Sequence, residues 1–150
     1  MDLRHQHPRS IRQRLDGYVH LARMIDKCRA LQAGMQGEYV YPCPLDERLL
    51  QFAGISSEAF AREVRSRTDQ EIVNWFQTNA AAHTPSEIEA WNEVMLTAGP
   101  DTEEKWTYFK NTRDAIDPRR TDITTWADLL DLEEQRIVPS RNVSMAGGRG

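Results

Sequence analysis

The stretch Tyr18-Val19-His20-Leu21-Ala22-Arg23-Met24-Ile25-Asp26-Lys27-Cys28-Arg29-Ala30-Leu31 decides the fold. At about 100° per residue, Tyr18, Leu21, Ala22, Met24, Ile25, Cys28 and Leu31 fall on one broad apolar arc. Asp16, His20, Arg23 and Lys27 form a stripe opposite, with Asp26 at its edge. This is the pattern of an amphipathic helix, and the periodic segment runs from Ile11 to Ala33. Gly17 weakens it locally by about 1 kcal/mol relative to Ala, so the helix starts or bends there, and Gly34 supplies a stop.

Downstream, residues 37–44 change character. Tyr39 and Tyr41 alternate with Glu38 and Val40, and Pro42 and Pro44 follow. Proline removes a donor and drives the preceding residue to extended conformations, so an ordered extended loop, at most one short strand, is expected. Short helices fill the rest. One spans Leu45 to Ala53 and ends at Gly54; another turn begins at Ser57 and carries Ala59, Phe60 and Val64. Three capping boxes are read at Thr68–Glu71, Thr84–Glu87 and Asp101–Glu104. A last helix starts near Asp122 or Thr124 and carries Trp126, Leu129 and Leu130. The aromatics Trp75, Phe76, Trp91, Trp106, Phe109 and Trp126 recur along these helices and read as core. The expected fold is all-α: a compact single domain of six to seven short helices over residues 11–138, with one short extended loop. Residues 1–10 are expected to be a flexible basic arm and residues 139–150 a flexible tail.

Composition narrows the function classes. The chain of 150 residues carries 19 Lys and Arg against 23 Asp and Glu, a net charge of -4. That mildly acidic balance argues against a dedicated duplex-binding protein. Arg4, His5, His7, Arg9, Arg12 and Arg14 make the basic cluster, and nucleic acid is not the expected partner. No apolar run approaches the roughly 18 residues of a membrane span, and the polar N-terminus does not read as a secretory signal. Two cysteines, Cys28 and Cys43, are too few for a disulfide scaffold, and reduced thiols in a cytoplasmic protein are the simpler reading.

Laid end to end, these segments resemble the DUF5069 family, a bacterial domain of unknown function. The resemblance rests on Pro8-Arg9-Ser10, on Gly17-Tyr18-Val19-His20-Leu21-Ala22-Arg23-Met24-Ile25-Asp26-Lys27, and on Gly37-Glu38-Tyr39 and Cys43-Pro44-Leu45-Asp46. It continues through Phe52-Ala53-Gly54-Ile55, Asp69-Gln70-Glu71-Ile72, Glu89-Ala90-Trp91-Asn92 and Thr125-Trp126-Ala127-Asp128-Leu129-Leu130. It departs at Asp16, where a second glycine is expected before Gly17. The resemblance implies a small bacterial cytoplasmic protein and carries no catalytic role with it.

The polar stripe is the main candidate for chemistry. Arg23 and Lys27 are one turn apart, and two cations so placed repel unless an anion lies between them. Asp26, Asp46, Glu38 or a bound carboxylate or phosphate would serve. Arg offers a planar fork and Lys a point charge, a common pairing for anionic ligands. His20 titrates near neutrality and can move a proton. The plainer alternative is a solvated helix face with incidental ion pairs. On the proline-bracketed loop, Cys43 near Lys27 or Arg23 would act as a nucleophile; otherwise it is a small buried hydrophobe. Asp46 serves the site or caps the next helix. Asn92 orients a ligand or, by preference, bonds a backbone carbonyl. No CxxC, HExxH or phosphate-loop motif is present, so no metal or cofactor is expected.

The expectation is therefore a protein that binds, and in one version turns over, a small anionic molecule between the first helix and the Tyr39–Cys43 loop. Arg23, Lys27, Tyr39 and Asp46 bind or orient it, while His20, Asp26 and Cys43 carry any catalysis. The rival is a non-enzymatic helical module that docks a protein partner through an apolar patch around Trp126 and Leu130.

Overall fold

The computed structural model describes residues 1–141. Among these the chain is all-α, with seven helices and no strand. They are α1 (Leu21–Gln32), α2 (Pro44–Ala53), α3 (Ser57–Val64), α4 (Asp69–Asn79), α5 (Pro85–Thr97), α6 (Glu103–Ile116) and α7 (Trp126–Glu133). The chain falls into two compact units, with the boundary between Asn92 and Glu93. No composition shift or linker marks that boundary, which is why the sequence reads as one domain.

The first helix starts ten residues later than the start of its periodic segment, and the reason is local. Leu15-Asp16-Gly17-Tyr18 closes a two-residue turn. The N–H of Leu15 donates to the Tyr18 carbonyl and the N–H of Tyr18 to the Leu15 carbonyl, both at 3.0 Å. Asp16 and Gly17 sit at φ of 54° and 79°, the pair of positive angles that Asp-Gly supplies in type I′ turns. A glycine at position 16, as the resemblance leads one to expect, would suit the same geometry. Asn92 braces the segment: Val19 N–H donates to its Oδ1 at 3.1 Å, and its Nδ2 donates to the Gly17 carbonyl at 2.8 Å. This is the structural role preferred for Asn92.

In the first unit, Leu21, Met24 and Ile25 of α1 meet Leu49, Leu50 and Ala53 of α2, Phe60 and Val64 of α3, and Ile72 and Phe76 of α4. Tyr18 stands edge-on to Phe76 at 5.2 Å, and Trp91 stacks on Phe52. The expected loop over residues 37–44 is present without a strand. Its Tyr41 hydroxyl donates to the Ser57 carbonyl at 2.8 Å.

Residues 1–10 are not a loose arm. Leu3 is buried and its N–H donates to the Met35 carbonyl at 2.9 Å. Gly37 permits the approach, since a Cβ there would sit 2.8 Å from the Leu3 carbonyl oxygen. Ile11 is wholly buried. The apolar residues at positions 3 and 11 anchor the arm at both ends, which its charge had masked in the sequence.

In the second unit, Phe109 of α6 and Leu129 of α7 pack with Ile123 and Val138, and Trp106 and Trp126 flank them. The Trp126 ring stands edge-on to Phe109 at 5.2 Å, and Trp126 and Leu130, the residues expected to form a docking patch, are both half-buried. Of the expected tail, Arg141 is tied down, its guanidinium donating twice to Asp128 at 3.0 Å. Residues 142–150 lie outside the described residues. Two capping boxes form as read, at Thr68–Glu71 and Thr84–Glu87. The third does not: Thr102 caps α6 through the Lys105 N–H, so position N3 carries a lysine that cannot reciprocate.

Candidate functional site

Helix α1 is buried nearly all round, with nine of its twelve residues out of solvent. Its apolar arc faces the core. Its polar stripe is covered too, and Arg23, Asp26 and Lys27 are only 3–4% exposed and His20 is 0% exposed. A solvated helix face is therefore excluded. Burying charge is unfavourable unless each group is paired, and the covering elements supply the pairs: the N-terminal arm, the Tyr39 loop and the start of α2.

The start of α2 is built on Cys43 and Asp46. Cys43 is the N-cap; its N–H donates to Asp46 Oδ2 at 2.9 Å, and its sulfur accepts from the Asp46 N–H at 3.5 Å. A capping box made with a thiol was not read from the sequence, because serine and threonine are the usual partners. Asp46 is completely buried. Its Oδ1 lies 2.6 Å from His20 Nε2 and its Oδ2 accepts from Lys27 Nζ at 2.7 Å. Lys27 Nζ also donates to Cys43 Sγ at 3.1 Å. One carboxylate thus caps α2, as expected of Asp46, and also joins the polar cluster.

The electrostatics follow from that geometry. Burial works to raise the Asp46 pKa, but the His20 hydrogen bond and the Lys27 charge outweigh it and hold the carboxyl at about 2. Burial pushes His20 below its usual value, against the pull of Asp46 and with the help of the Lys27 and Arg23 charges. A carboxylate facing a neutral imidazole assigns the proton to Nε2. Nδ1 then carries the lone pair, and it is buried with no hydrogen-bond partner among the described residues. His20 also caps α1 with a left-handed backbone, φ 71° and ψ -23°, a conformation that costs roughly 1–2 kcal/mol for a residue with a Cβ.

Arg23, one turn earlier than Lys27, lies with its guanidinium 5.6 Å from the Tyr39 ring centroid. It also donates to the Arg9 carbonyl at 3.3 Å. The Tyr39 hydroxyl is 3.0 Å from His7 Nδ1. Asp26 faces away from this group toward the arm. Arg9 grips it with its backbone N–H at 2.8 Å and with Nε and Nη2 at 3.0 Å each. The same guanidinium reaches Asp69 at 2.8 Å, which Arg29 meets at 2.9 Å. That geometry gives Asp26 an anchoring role, where the sequence reading set it to handle protons. Arg9 is the residue that sequence reasoning missed, since its charge placed it in the arm. Its signal was the Pro8-Arg9-Ser10 match to the family pattern.

The structure thus brings His20, Lys27, Cys43 and Asp46 into one hydrogen-bonded chain and sets Arg23 and Tyr39 beside it through α1. Cys43 and Tyr39 are the partly exposed members. Cys28, on the opposite face, is buried, and burial pushes its thiol up to about 11. Separately, α2 and α3 border an open groove of about 360 Å³ lined by Glu47, Leu50, Gln51, Gly54, Ile55, Ser56 and Ser57. Chemically, the cluster offers a fixed carboxylate, two cations, a thiol and a neutral imidazole base. No helix among the described residues is long and apolar enough to cross a membrane.

No curated protein matches the chain significantly. The family model described as a domain of unknown function, DUF5069, matches residues 5–136. That span takes in Arg9, the whole polar face of α1, the Tyr39–Cys43 loop and both helical units up to the end of α7, so the chain belongs to the DUF5069 family.

Proposed function

We propose that this protein binds a small anionic molecule between α1 and the Tyr39–Cys43 loop. The observation that carries the reading is the burial of two cations one turn apart, Arg23 and Lys27, beside a half-exposed aromatic ring and thiol. Two buried cations on one helix face are unfavourable without negative charge nearby. Asp46 takes Lys27 directly, and Arg23 lies over the half-exposed Tyr39 ring, the side from which a ligand would approach. Tyr39 orients the ligand at the rim, Cys43 stands at the mouth, and His20 is the base behind them. Asp26 and Arg9 hold the arm that forms one wall.

Both cysteines are unbridged, which supports a reducing compartment such as the cytoplasm. The docking-module reading rests on Trp126 and Leu130, which are half-buried, with Trp126 packed against Phe109.

A thermal-shift screen of the intact chain against sugar phosphates, nucleotides and carboxylic acids tests the proposal, since a ligand bound only by the folded form raises the melting temperature. At least one anion class stabilises the wild type, and the shift falls in Tyr39→Ala, which removes the ring under Arg23. No shift with any anion, or an undiminished shift in Tyr39→Ala, contradicts it.

A further inference from the structure

Lys27 Nζ approaches Cys43 Sγ to 3.1 Å, closer than the Asp46 N–H that the same sulfur caps at 3.5 Å. A serine hydroxyl is an ordinary group for that cap, so capping alone does not call for sulfur. What sulfur adds is redox chemistry. The two partners differ in exposure. Lys27 is 4% exposed and is also held by Asp46 Oδ2 at 2.7 Å, so its amine is fixed against the sulfur. Cys43 is only partly buried, and a small oxidant reaches it from solvent. Cys28, the other thiol, is 1% exposed and makes no disulfide with it. The nucleophile in contact with Cys43 Sγ is an amine.

We propose that Cys43 and Lys27 form a sulfenamide cross-link, driven by hydrogen peroxide, between the start of α2 and the middle of α1. The Cys43 sulfur attacks one oxygen of the peroxide. An S–O bond forms as the O–O bond breaks; the sulfur is oxidised, the peroxide is reduced, and the thiol proton leaves with the second oxygen as water. Lys27 Nζ, after releasing one proton to solvent, then attacks the sulfur of this sulfenic acid. An N–S bond forms as the S–O bond breaks, and the departing hydroxide takes a second Nζ proton away as water. No further oxidant is consumed. The cross-link keeps Cys43 from irreversible oxidation to sulfinic acid and removes the ammonium charge from the cluster. It goes beyond the anion-binding reading and is independent of it, since it needs no ligand other than peroxide.

The intact folded chain is treated with hydrogen peroxide at neutral pH, digested with trypsin without reductant, and its peptides are weighed and sequenced by fragmentation. In the wild type the peptides carrying Lys27 and Cys43 run as one species about 2 Da lighter than their sum, because two hydrogens leave and no oxygen stays, and dithiothreitol separates them. Cys28→Ala gives the same linked species. Cys43→Ser, which keeps a capping oxygen, does not. Lys27→Arg keeps a cation for Asp46 but removes the amine; its Cys43 peptide instead gains about 16 or 32 Da and is trapped by dimedone at the first stage. A wild-type Cys43 peptide that gains oxygen without any linked species overturns the inference, as does a Cys43 that peroxide leaves unchanged. A linked species that disappears in Cys28→Ala marks a disulfide and also overturns it.

Discussion

Lys27 Nζ lies 2.7 Å from Asp46 Oδ2 in a site where the carboxylate side chain is wholly buried and the lysine side chain is 5% exposed. The pair ties α1 to the first turn of α2, and the other oxygen of the same carboxylate holds His20. Removing one partner of a buried pair strands the other and costs about 3–5 kcal/mol. Lys27→Met is therefore expected to lower unfolding free energy by about that much. Lys27→Met with Asp46→Asn should recover part of the loss. Urea unfolding of the single and double variants measures the coupling, and additive losses would contradict the pairing.

The same cluster sets the pH dependence. A buried histidine held neutral means that the unfolded chain takes up a proton that the folded chain refuses, so stability falls as pH drops below the unfolded value near 6.5. Asp46 acts in the same direction at lower pH. Its folded value of about 2 lies below the ordinary 3.8, so its contribution, on the order of 2 kcal/mol, is present above 3.8 and lost as pH falls toward 2. Denaturant midpoints from pH 8 to pH 3 should decline in both windows, and Asp46→Asn should flatten the lower one. A flat profile between pH 7 and 5 would contradict a neutral buried His20.

Arg9 is expected to be the most sensitive residue of the arm. Arg9→Ala removes two of the three donors that Arg9 gives the buried Asp26 and leaves only the backbone N–H, and should cost about 3–5 kcal/mol. Arg9→Lys keeps the charge but loses the fork and should fall between. Melting temperatures that rank wild type, Lys and Ala in that order support the clamp; an unchanged Arg9→Ala contradicts it.

Two glycines separate backbone strain from crowding. Gly34 and Gly37 both have positive φ, but only Gly37 would drive a Cβ into backbone, 2.8 Å from the Leu3 carbonyl oxygen. Gly34→Ala should cost roughly 1 kcal/mol, the conformational penalty alone. Gly37→Ala should cost more and expose the arm to proteolysis. Equal losses would mean that the arm does not press on residue 37.

Much of this was legible in the sequence. The apolar arc of α1, the caps at Thr68 and Thr84, the aromatic core and the grouping of His20, Lys27, Cys43 and Asp46 follow from periodicity and residue chemistry. The break near Gly17 was legible, but the turn that makes it was not, because helical spacing continues through Asp16-Gly17 while their turn geometry is the stronger local constraint. The covered polar stripe was also hidden. Amphipathic spacing assigns a charged face to water unless another segment supplies counter-charges, and Arg9 and Asp46 do so from 17 and 19 residues away from their partners. The role of Asp26 was lost with Arg9, since a carboxylate next to two cations looks available until its real partner is seen. Position 16 shows the converse: Asp tolerates the left-handed backbone well enough for the turn to form, so Asp16→Gly should stabilise slightly.

The most direct test of the account is a calorimetric titration of the intact chain at low ionic strength, in the wild type and in Arg23→Gln, with the anion that stabilises the wild type most in the thermal-shift screen. The account predicts saturable one-to-one binding to the wild type, weakened at least about tenfold in the variant, as befits loss of a charge-assisted bond. Wild-type heats no different from dilution, or a variant that binds as tightly as the wild type, would contradict it.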